Sequence, residues 1–400
     1  MDAKGNPVIF TNGDNDTFPL WYNQETEGVR TDARVCNLSY LQTDWYIDQM
    51  RRPAYDSPSL PISWTRLQYV TGTREGIPVQ PDALQQVIDY YKDSPEDLKQ
   101  MLGDNPYELK NIIRHWVLND NPDLQIFPTD SIVVTVDKEA VKRSGMMIAA
   151  DSIPDVMHIS LKGKRAVYKS EMMMLEMISQ ANWERPLYMS TTVGPDNYGH
   201  LGDNFVQEGL ACRITPFDTK QSGRTIDSER MYNNMMNKFK YGGLKENPDI
   251  YLDETVIRMC YTHRRLFNQL AQQLLKEGQK DKALKVLQRA EEEIPGSIVP
   301  HEAFYGHSLE LADAWLALGH KAEAEKLLNA VGQNAREYIE WYLSLNTQRL
   351  LQSSRECLMQ IYILNDIAKT WEPIDKKKAE TYRMEVNNYA SRCHQRGMSL

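Results

Sequence analysis

The sequence predicts an α/β domain with a mostly parallel sheet, followed by an all-α domain of helical repeats. Three observations support this division. Short apolar segments alternate with helical segments over the first 50 residues, strand signals continue to about residue 215, and only helical periodicity remains from about residue 251. We therefore predict an α/β domain over residues 1–250 and a helical repeat domain over residues 251–400.

The first 50 residues set the α/β pattern. Residues 7–10 form a short apolar run that predicts a strand, and Asn12-Gly13 predicts a tight turn because this dipeptide tolerates positive φ. The pattern then predicts a helix, a strand and a helix, over residues 20–27, 34–41 and 43–50. This spacing is typical of βαβ units, whose strands run parallel.

The middle of the chain carries more scattered signals. Residues 51–64 are rich in proline and predict a loop, whereas alternation over residues 66–73 predicts a strand. Residues 82–119 are helical in pieces, with breaks near Gly103 and Pro106. Further strands are expected over residues 131–136, 158–161, 165–168, 185–190 and 210–215.

Three shorter features of this region carry their own predictions. The segment Lys162-Gly163-Lys164 lies between two predicted strands and favours a hairpin. Residues 170–181 form a methionine-rich helix, whose apolar stripe we interpret as core packing. The glycine-containing loop at residues 194–202 follows a strand and is expected to be either a surface loop or one border of a ligand crevice.

The helical half contains a repeat. Its first unit fits the tetratricopeptide pattern at Ala271, Gly278, Ala283, Leu287, Ala290 and Pro295. The same spacing recurs at Ala312, Trp315, Gly319, Ala324 and Leu328, with an insertion near residues 296–305 between the units. Because each helix pair cannot bury its apolar face alone, the pairs should stack into a short solenoid that binds a partner protein.

Composition excludes several classes of protein. The net charge is −9 and the pI is near 5.5, which argues against a nucleic-acid binder or an anionic-membrane binder. The five cysteines are scattered without C-x-x-C spacing, so they predict neither a zinc site nor a disulfide framework. No apolar run approaches the length of a membrane span, so a soluble polypeptide is expected. No metal or cofactor is expected either.

An acidic turn follows the first predicted strand and supplies the candidate ligand-binding residues. These are Asn12, Gly13, Asp14, Asn15, Asp16, Thr17, Trp21 and Tyr22, joined by Asp44 and Trp45 after the second strand. Carboxylates at a helix N-terminus should stay ionised and act as hydrogen-bond acceptors, so no catalytic residue is predicted. Such a turn suits a sugar, a Ser/Thr hydroxyl, an amine or a divalent cation better than a phosphate.

Two alternative readings of the acidic turn remain open. In the first, Asp16 or Thr17 only caps a helix, and the whole chain is a protein-interaction module. In the second, Asp14 and Asp16 form a D-x-D motif, and the chain is a metal-dependent transferase or hydrolase. The sequence contains no P-loop, G-x-S-x-G or H-E-x-x-H motif that would favour another chemistry.

Six segments of the sequence together form a recognisable pattern: FTNGDNDTFPLWY at residues 10–22, GVRTD at 28–32, NLS at 37–39, TDWYI at 43–47, NWERPLY at 182–188 and EGLA at 208–211. Together they resemble the C-terminal soluble region of a bacterial multi-span membrane family, which is similar to protein O-mannosyltransferases. The helical repeats fit as well, since members of this family end in tetratricopeptide-like helices.

The resemblance implies a larger protein of the lipid-donor glycosyltransferase type. Its N-terminal multi-span region would carry the catalytic carboxylate, and the present chain would lie on the periplasmic side of the inner membrane. The chain would then bind the polypeptide acceptor or a partner protein without being a complete enzyme. By fold analogy, related oligosaccharyltransferases hold the acceptor peptide with a Trp- and Asp-containing motif after a strand, where this chain has its acidic turn.

Overall fold

The structure, a computed structural model, describes residues 5–147 and 153–398. The chain divides into two compact units, Met1–Met231 and Tyr232–Leu400. The first unit is α/β, and every element in the described part of the second unit is helical. The predicted fold class is therefore confirmed, and the two units are described separately below.

The strands and helices of the first unit alternate along the chain. The strands are β1 Val8–Thr11, β2 Arg34–Asn37, β3 Gly76–Pro78, β4 Ser131–Thr135, β5 Val156–Ser160, β6 Ala166–Tyr168, β7 Leu187–Ser190, β8 Phe205–Gln207 and β9 Ala211–Ile214. The helices are α1 Asp14–Glu27, α2 Asp44–Met50, α3 Arg66–Tyr69, α4 Ala83–Tyr90, α5 Pro95–Leu102, α6 Leu109–Ile112, α7 Lys138–Arg143, α8 Lys169–Ala181, α9 Thr219–Ser222 and α10 Ser228–Asn233.

The main sheet has five strands in the order β2-β1-β7-β9-β8. Strand β1 pairs in parallel with β2 and with β7, and α1 is the crossover between β1 and β2. The pairs β7–β9 and β9–β8 are antiparallel. The predicted βαβ unit is thus present at the parallel end of a mixed sheet.

Helices cover both faces of the main sheet. Alternate residues of a strand point to opposite faces. One face consists of Ile9, Val35, Tyr188 and Ala211, and Leu20 and Trp21 of α1 pack against it. On the other face, Phe10 and Cys36 belong to the main core together with buried residues of α2 and α8. The methionines of α8 lie in this core, which agrees with their interpretation as packing residues.

Two local predictions are wrong. Residues 66–73 contain helix α3 rather than a strand, because Gln68 accepts a hydrogen bond from the backbone N–H of Thr65 and caps the first turn. The alternation of apolar residues over this segment does not correspond to a buried face, since Leu67 is 81% exposed. The predicted hairpin around Lys162-Gly163-Lys164 does not form either, because β5 pairs with β4 and β6 pairs with β3.

The second unit is built from paired helices. They are α11 Glu254–Lys276, α12 Lys280–Glu293, α13 Ser308–Ala317, α14 Lys321–Ser344, α15 Thr347–Gln352, α16 Ser354–Trp371 and α17 Lys376–Gln395. Helix α11 packs on α12, α13 on α14, and α16 on α17. A loop of residues 294–307 separates the first two pairs, where the sequence predicts an insertion.

Two chain-wide features complete the fold. Within the described residues, no helix combines the length and apolar character that crossing a membrane requires. None of the five cysteines, all of which lie in the described residues, forms a disulfide bond, although Cys357 Sγ lies 3.9 Å from Cys393 Sγ between α16 and α17.

Candidate functional site

Three neighbouring parallel strands end at one edge of the main sheet. Strand β1 lies in the middle and ends at Thr11, while β2 ends at Asn37 and β7 at Ser190. Ligands commonly bind at this edge of α/β sheets, because the loops that leave the strands converge there. The acidic turn leads from β1 into α1 at this position.

The turn is held in place by its own carboxylate. Asp16 Oδ1 accepts the backbone N–H of Gly13 at 2.9 Å, and Oδ2 accepts the N–H of Asn12 at 3.1 Å and the hydroxyl of Thr192 at 2.8 Å. Gly13 is extended, with φ −158°, so the turn does not use the positive φ that Asn12-Gly13 was expected to supply. Asp16 therefore has a structural role, as the helix-capping alternative predicts.

A chain of buried polar side chains lies beneath the turn. Thr17 Oγ1 is 2.7 Å from Thr11 Oγ1 and accepts a hydrogen bond from Asn37 Nδ2 at 2.8 Å. Asn37 Oδ1 in turn accepts the backbone N–H of Tyr40 at 3.0 Å. These bonds tie the ends of β1 and β2 to the first turn of α1, so Thr17 serves the scaffold and has no free surface for a ligand.

The exposed part of the turn is its outer side. Asp14 and Asn15 are exposed in the first turn of α1. Residues two apart on a helix do not share a face, so Asp14 does not share the set of bonds made by Asp16. Asn12 is partly buried, and its Oδ1 accepts the hydroxyl of Ser39 at 3.0 Å. Asp14 is thus the carboxylate that faces solvent at this edge.

An aromatic row borders the acidic turn, and we define it as Phe18, Trp21, Tyr40 and Trp45. The ring centroids of Phe18 and Trp21 are 5.7 Å apart and those of Trp21 and Tyr40 are 6.4 Å apart, both stacked. Tyr40 then contacts Trp45 at 5.9 Å. The two ends of the row are accessible, because Phe18 is 45% exposed and Trp45 is 54% exposed. Mutual packing holds these rings in position next to the turn.

The remaining two predicted site residues lie differently. Tyr22 is exposed on α1, one turn after Phe18. Asp44 accepts the backbone N–H of Thr71 at 3.4 Å and lies 3.7 Å from the guanidinium of Arg66. The Thr71 hydrogen bond lowers the pKa of Asp44, and Arg66 adds to this effect against the cost of desolvation. The carboxylate of Asp44 therefore contacts residues of the segment 66–71, whereas the neighbouring Trp45 belongs to the aromatic row.

Sequence reasoning missed several residues of this edge. Thr192 donates a hydrogen bond to Asp16 from 176 residues away, Asn37 at the end of β2 bonds to Thr17, and Ser39 just after β2 bonds to Asn12. A signal for them exists, since polar residues that directly follow parallel strands meet at one edge. Phe18 and Tyr40 carry no comparable local signal, because their contacts depend on how α1 and the end of β2 approach each other.

We expect Asp16→Ala and Asp14→Ala to differ in stability. Removing Asp16 leaves two backbone N–H groups and the Thr192 hydroxyl without their acceptor, which should lower the free energy of unfolding by about 2 kcal/mol. Removing the exposed Asp14 should change it by less than about 0.5 kcal/mol. Chemical denaturation of the two variants measures this difference in the free energy of unfolding. If both variants lose the same stability, Asp16 does not have a structural role that Asp14 lacks.

The site offers little to a metal ion. Among residues 5–147 and 153–398, no group of three or more His, Cys, Asp or Glu side chains is placed to hold one. Of the two carboxylates in the D-x-D motif, Asp16 already accepts four hydrogen bonds. Hard cations prefer six or more oxygen ligands, so this pair alone is a poor starting point for a metal site.

Comparison with known proteins identifies one similarity. The sequence model of the family described as TMEM260-associated domain 2 matches residues 1–234, which is more than half of the chain. TMEM260 is a protein O-mannosyltransferase. No curated protein and no solved structure matches the chain. The matched residues include the main sheet, the acidic turn and the aromatic row.

Proposed function

The chain belongs to the TMEM260-associated domain 2 family, and on that premise we propose that it binds the acceptor polypeptide of a protein O-mannosyltransferase-like membrane protein. The binding site is the carboxyl edge of the main sheet. The observation that carries this proposal is the aromatic row, whose Phe18 lies one helical turn after the exposed Asp14 on α1. The chain supplies binding and positioning, and the transfer reaction takes place on another part of the protein.

The aromatic row supports binding of a polypeptide or a sugar. Rings with exposed faces offer a large apolar contact area at low entropic cost, and aromatic residues are enriched at binding sites for this reason. The row is also rigid, because each ring packs on its neighbour. A rigid surface loses little conformational entropy when a ligand binds.

The negative charge of the acidic turn restricts the kinds of ligand that can bind there. Asp14 lies in the first turn of α1, where the helix dipole favours a negative charge. An ionised carboxylate only accepts hydrogen bonds, so it suits the hydroxyl of a serine, a threonine or a sugar and repels a phosphate. We infer that Asp14 accepts a hydrogen bond from an acceptor hydroxyl while the aromatic row contacts the neighbouring apolar groups.

The same proposal places the chain in a larger protein. We infer an N-terminal multi-span region of the bacterial lipid-donor glycosyltransferase type, which would hold the catalytic carboxylate and the sugar donor. This would put the present chain on the extracytoplasmic, periplasmic side of the inner membrane. Membership in the family of a domain associated with TMEM260 supports this arrangement.

The helical unit has a separate role in the proposal. We infer that its helix pairs are tetratricopeptide-like repeats that bind protein. The small residues Ala283, Ala290 and Ala324 of the repeat pattern are fully buried between helices, as this architecture requires. Tyr338, Trp341 and Tyr362 are exposed and offer aromatic contacts of the kind that protein interfaces favour.

An assay of the isolated chain tests the proposal. The chain should bind a short, unfolded peptide rich in serine and threonine and should transfer no mannose to it from a lipid-linked or nucleotide-linked donor. A matched peptide with alanine in place of serine and threonine should bind more weakly, because it offers no side-chain hydroxyl to Asp14. Sustained mannosyl transfer by the isolated chain, or equal binding of the two peptides, would overturn the proposal.

A further inference from the structure

Among the residues that the structure describes, strand β5 is paired along one edge only. It pairs with β4 in antiparallel register, with Met157 opposite Val134 and Ile159 opposite Ile132. Just beyond the strand ends, the N–H of Val136 bonds to the carbonyl of Asp155 and the register continues. In antiparallel pairs, hydrogen-bonded positions alternate with positions whose backbone groups point away. Every second residue of β5 therefore turns its backbone outward.

The register identifies the outward residues. Since Asp155 bonds to β4, so do Met157 and Ile159, and the N–H and C=O groups of Val156, His158 and Ser160 point to the other side. Within the described ranges, these six groups have no backbone partner. Met157 and Ile159 are buried and anchor the strand in the core, whereas His158 and Ser160 are exposed, so solvent reaches this strand.

A cleft of about 740 Å³ runs along this open edge. Val156, His158 and Ser160 line one side of it. The rest of its lining includes Ser131 of β4 and, from later in the chain, His200, Asp203, Phe217 and Asp218. A second cleft of about 520 Å³ shares Ser160, His200 and Asp203 with the first and extends the space past the end of β5. The loop at residues 194–202 thus borders a cleft, at the edge of β5.

The acidic side chains of this cleft already have partners. Asp155 pairs with Lys138 and Asp203 pairs with Lys220, each at 2.7 Å. Asp218 accepts the backbone N–H groups of Lys220 and Gln221 and caps α9. The cleft therefore presents backbone donors and acceptors with little uncompensated charge, which suits an uncharged ligand and disfavours a metal ion or a nucleic acid.

We propose that the open edge of β5 binds an extended, uncharged segment of polypeptide by strand addition. An extended chain matches this edge because it repeats its own N–H and C=O groups with the same two-residue period. The side chains of the bound segment would alternate between the two faces of the strand, and Phe217 in the lining of the cleft offers an apolar contact for one of them. Identifying this segment as part of the acceptor polypeptide rests on the proposed function.

Amide hydrogen exchange tests the inference at single residues. A short synthetic peptide of alternating valine and threonine is added to the full chain, and exchange is followed by NMR. The amides of Val156, His158 and Ser160 should exchange at least about tenfold more slowly with peptide, whereas those of Met157 and Ile159, already bonded to β4, should not change. Peptide binding without protection of the three outward amides would overturn the inference.

A pair of variants at one position adds a second test. His158→Pro removes the outward N–H, and proline is tolerated on a strand edge that faces away from its partner. It should weaken peptide binding at least about fivefold, whereas His158→Ala keeps the backbone donor and should bind within about twofold of the parent. Unchanged protection of the Met157 amide confirms that the β4–β5 pair is intact. Equal binding by the two variants would contradict strand addition.

The two proposals fail in different ways. Protection of the β5 amides with no change at the acidic turn would contradict the proposed function and support strand addition. Changes in the NMR signals of the acidic turn, without slower exchange of the β5 amides, would contradict strand addition and support the proposed function. The same titration therefore separates the two sites.

Discussion

Replacing both Phe18 and Trp45 by alanine is expected to weaken binding of the acceptor peptide about 30-fold or more. The two rings are the accessible ends of the aromatic row, and truncation of aromatic anchors in binding sites commonly costs 2 kcal/mol or more, which corresponds to about this factor. Titration calorimetry with the serine- and threonine-rich peptide measures the loss.

Stability should change little in the same variant. Because each ring is about half exposed, its removal opens no large cavity, and we expect a loss of less than about 1 kcal/mol. Tyr90→Ala is the matched control, since Tyr90 is 80% exposed in the same unit and lies outside the aromatic row. If the control weakens binding as much as the double variant does, the aromatic row is not the binding surface.

Replacing Arg264 by methionine is expected to cause the largest loss of stability, about 3 kcal/mol in the second unit. Arg264 is fully buried in α11 and donates hydrogen bonds to the carbonyl oxygens of Ile294, Val299 and Pro300, at 2.9, 2.9 and 3.1 Å. Removing the guanidinium leaves three carbonyl groups of the loop at residues 294–307 without donors, and buried unsatisfied groups cost about 1–3 kcal/mol each before relaxation.

The geometry of the guanidinium matters as well as its charge. Burial lowers the pKa of Arg264, yet its planar fork reaches three carbonyl oxygens on one loop. Arg264→Lys should therefore recover only part of the loss. Arg258→Met on the same helix is the control, because Arg258 is exposed and has only surface contacts, an ion pair with Glu254 and a cation–π contact at 5.7 Å with the ring of Tyr305, so we expect a loss of less than about 1 kcal/mol.

Chemical denaturation with hydrogen exchange on the second unit distinguishes these outcomes. The two compact units need not unfold together, so exchange of amides in α11–α14 reports on the relevant transition. If the Arg264→Met variant is as stable as the Arg258→Met variant, Arg264 does not hold the loop of residues 294–307 in place.

Local patterns explain what the sequence predicted well. Strand β1, helix α1 and helix α2 follow from short-range signals: an apolar run, an acidic helix start, and Gly28 at the left-handed position that ends α1. The change to an all-helical second unit follows from periodicity over many residues. These signals lie within a few residues of the structure that they predict.

Long-range pairing explains what the sequence did not predict. Strands β5 and β6 are close in the chain and were expected to pair with each other, but each finds its partner in an earlier strand. The contact of Thr192 with Asp16 spans 176 residues, and no local pattern encodes it. The different roles of Asp14 and Asp16 also depend on this contact, so the sequence offered a capping role for Asp16 only as one of several alternatives.

The most direct test of the central claim locates the acceptor peptide on the isolated chain. Titration followed by NMR should shift the signals of Asp14, Asn15, Phe18 and Trp45 at the carboxyl edge of the main sheet, and the Phe18→Ala, Trp45→Ala double variant should abolish these shifts. Shifts confined to α11–α17, with none at the acidic turn or the aromatic row, would contradict the claim and favour a protein-interaction module whose acidic turn is structural.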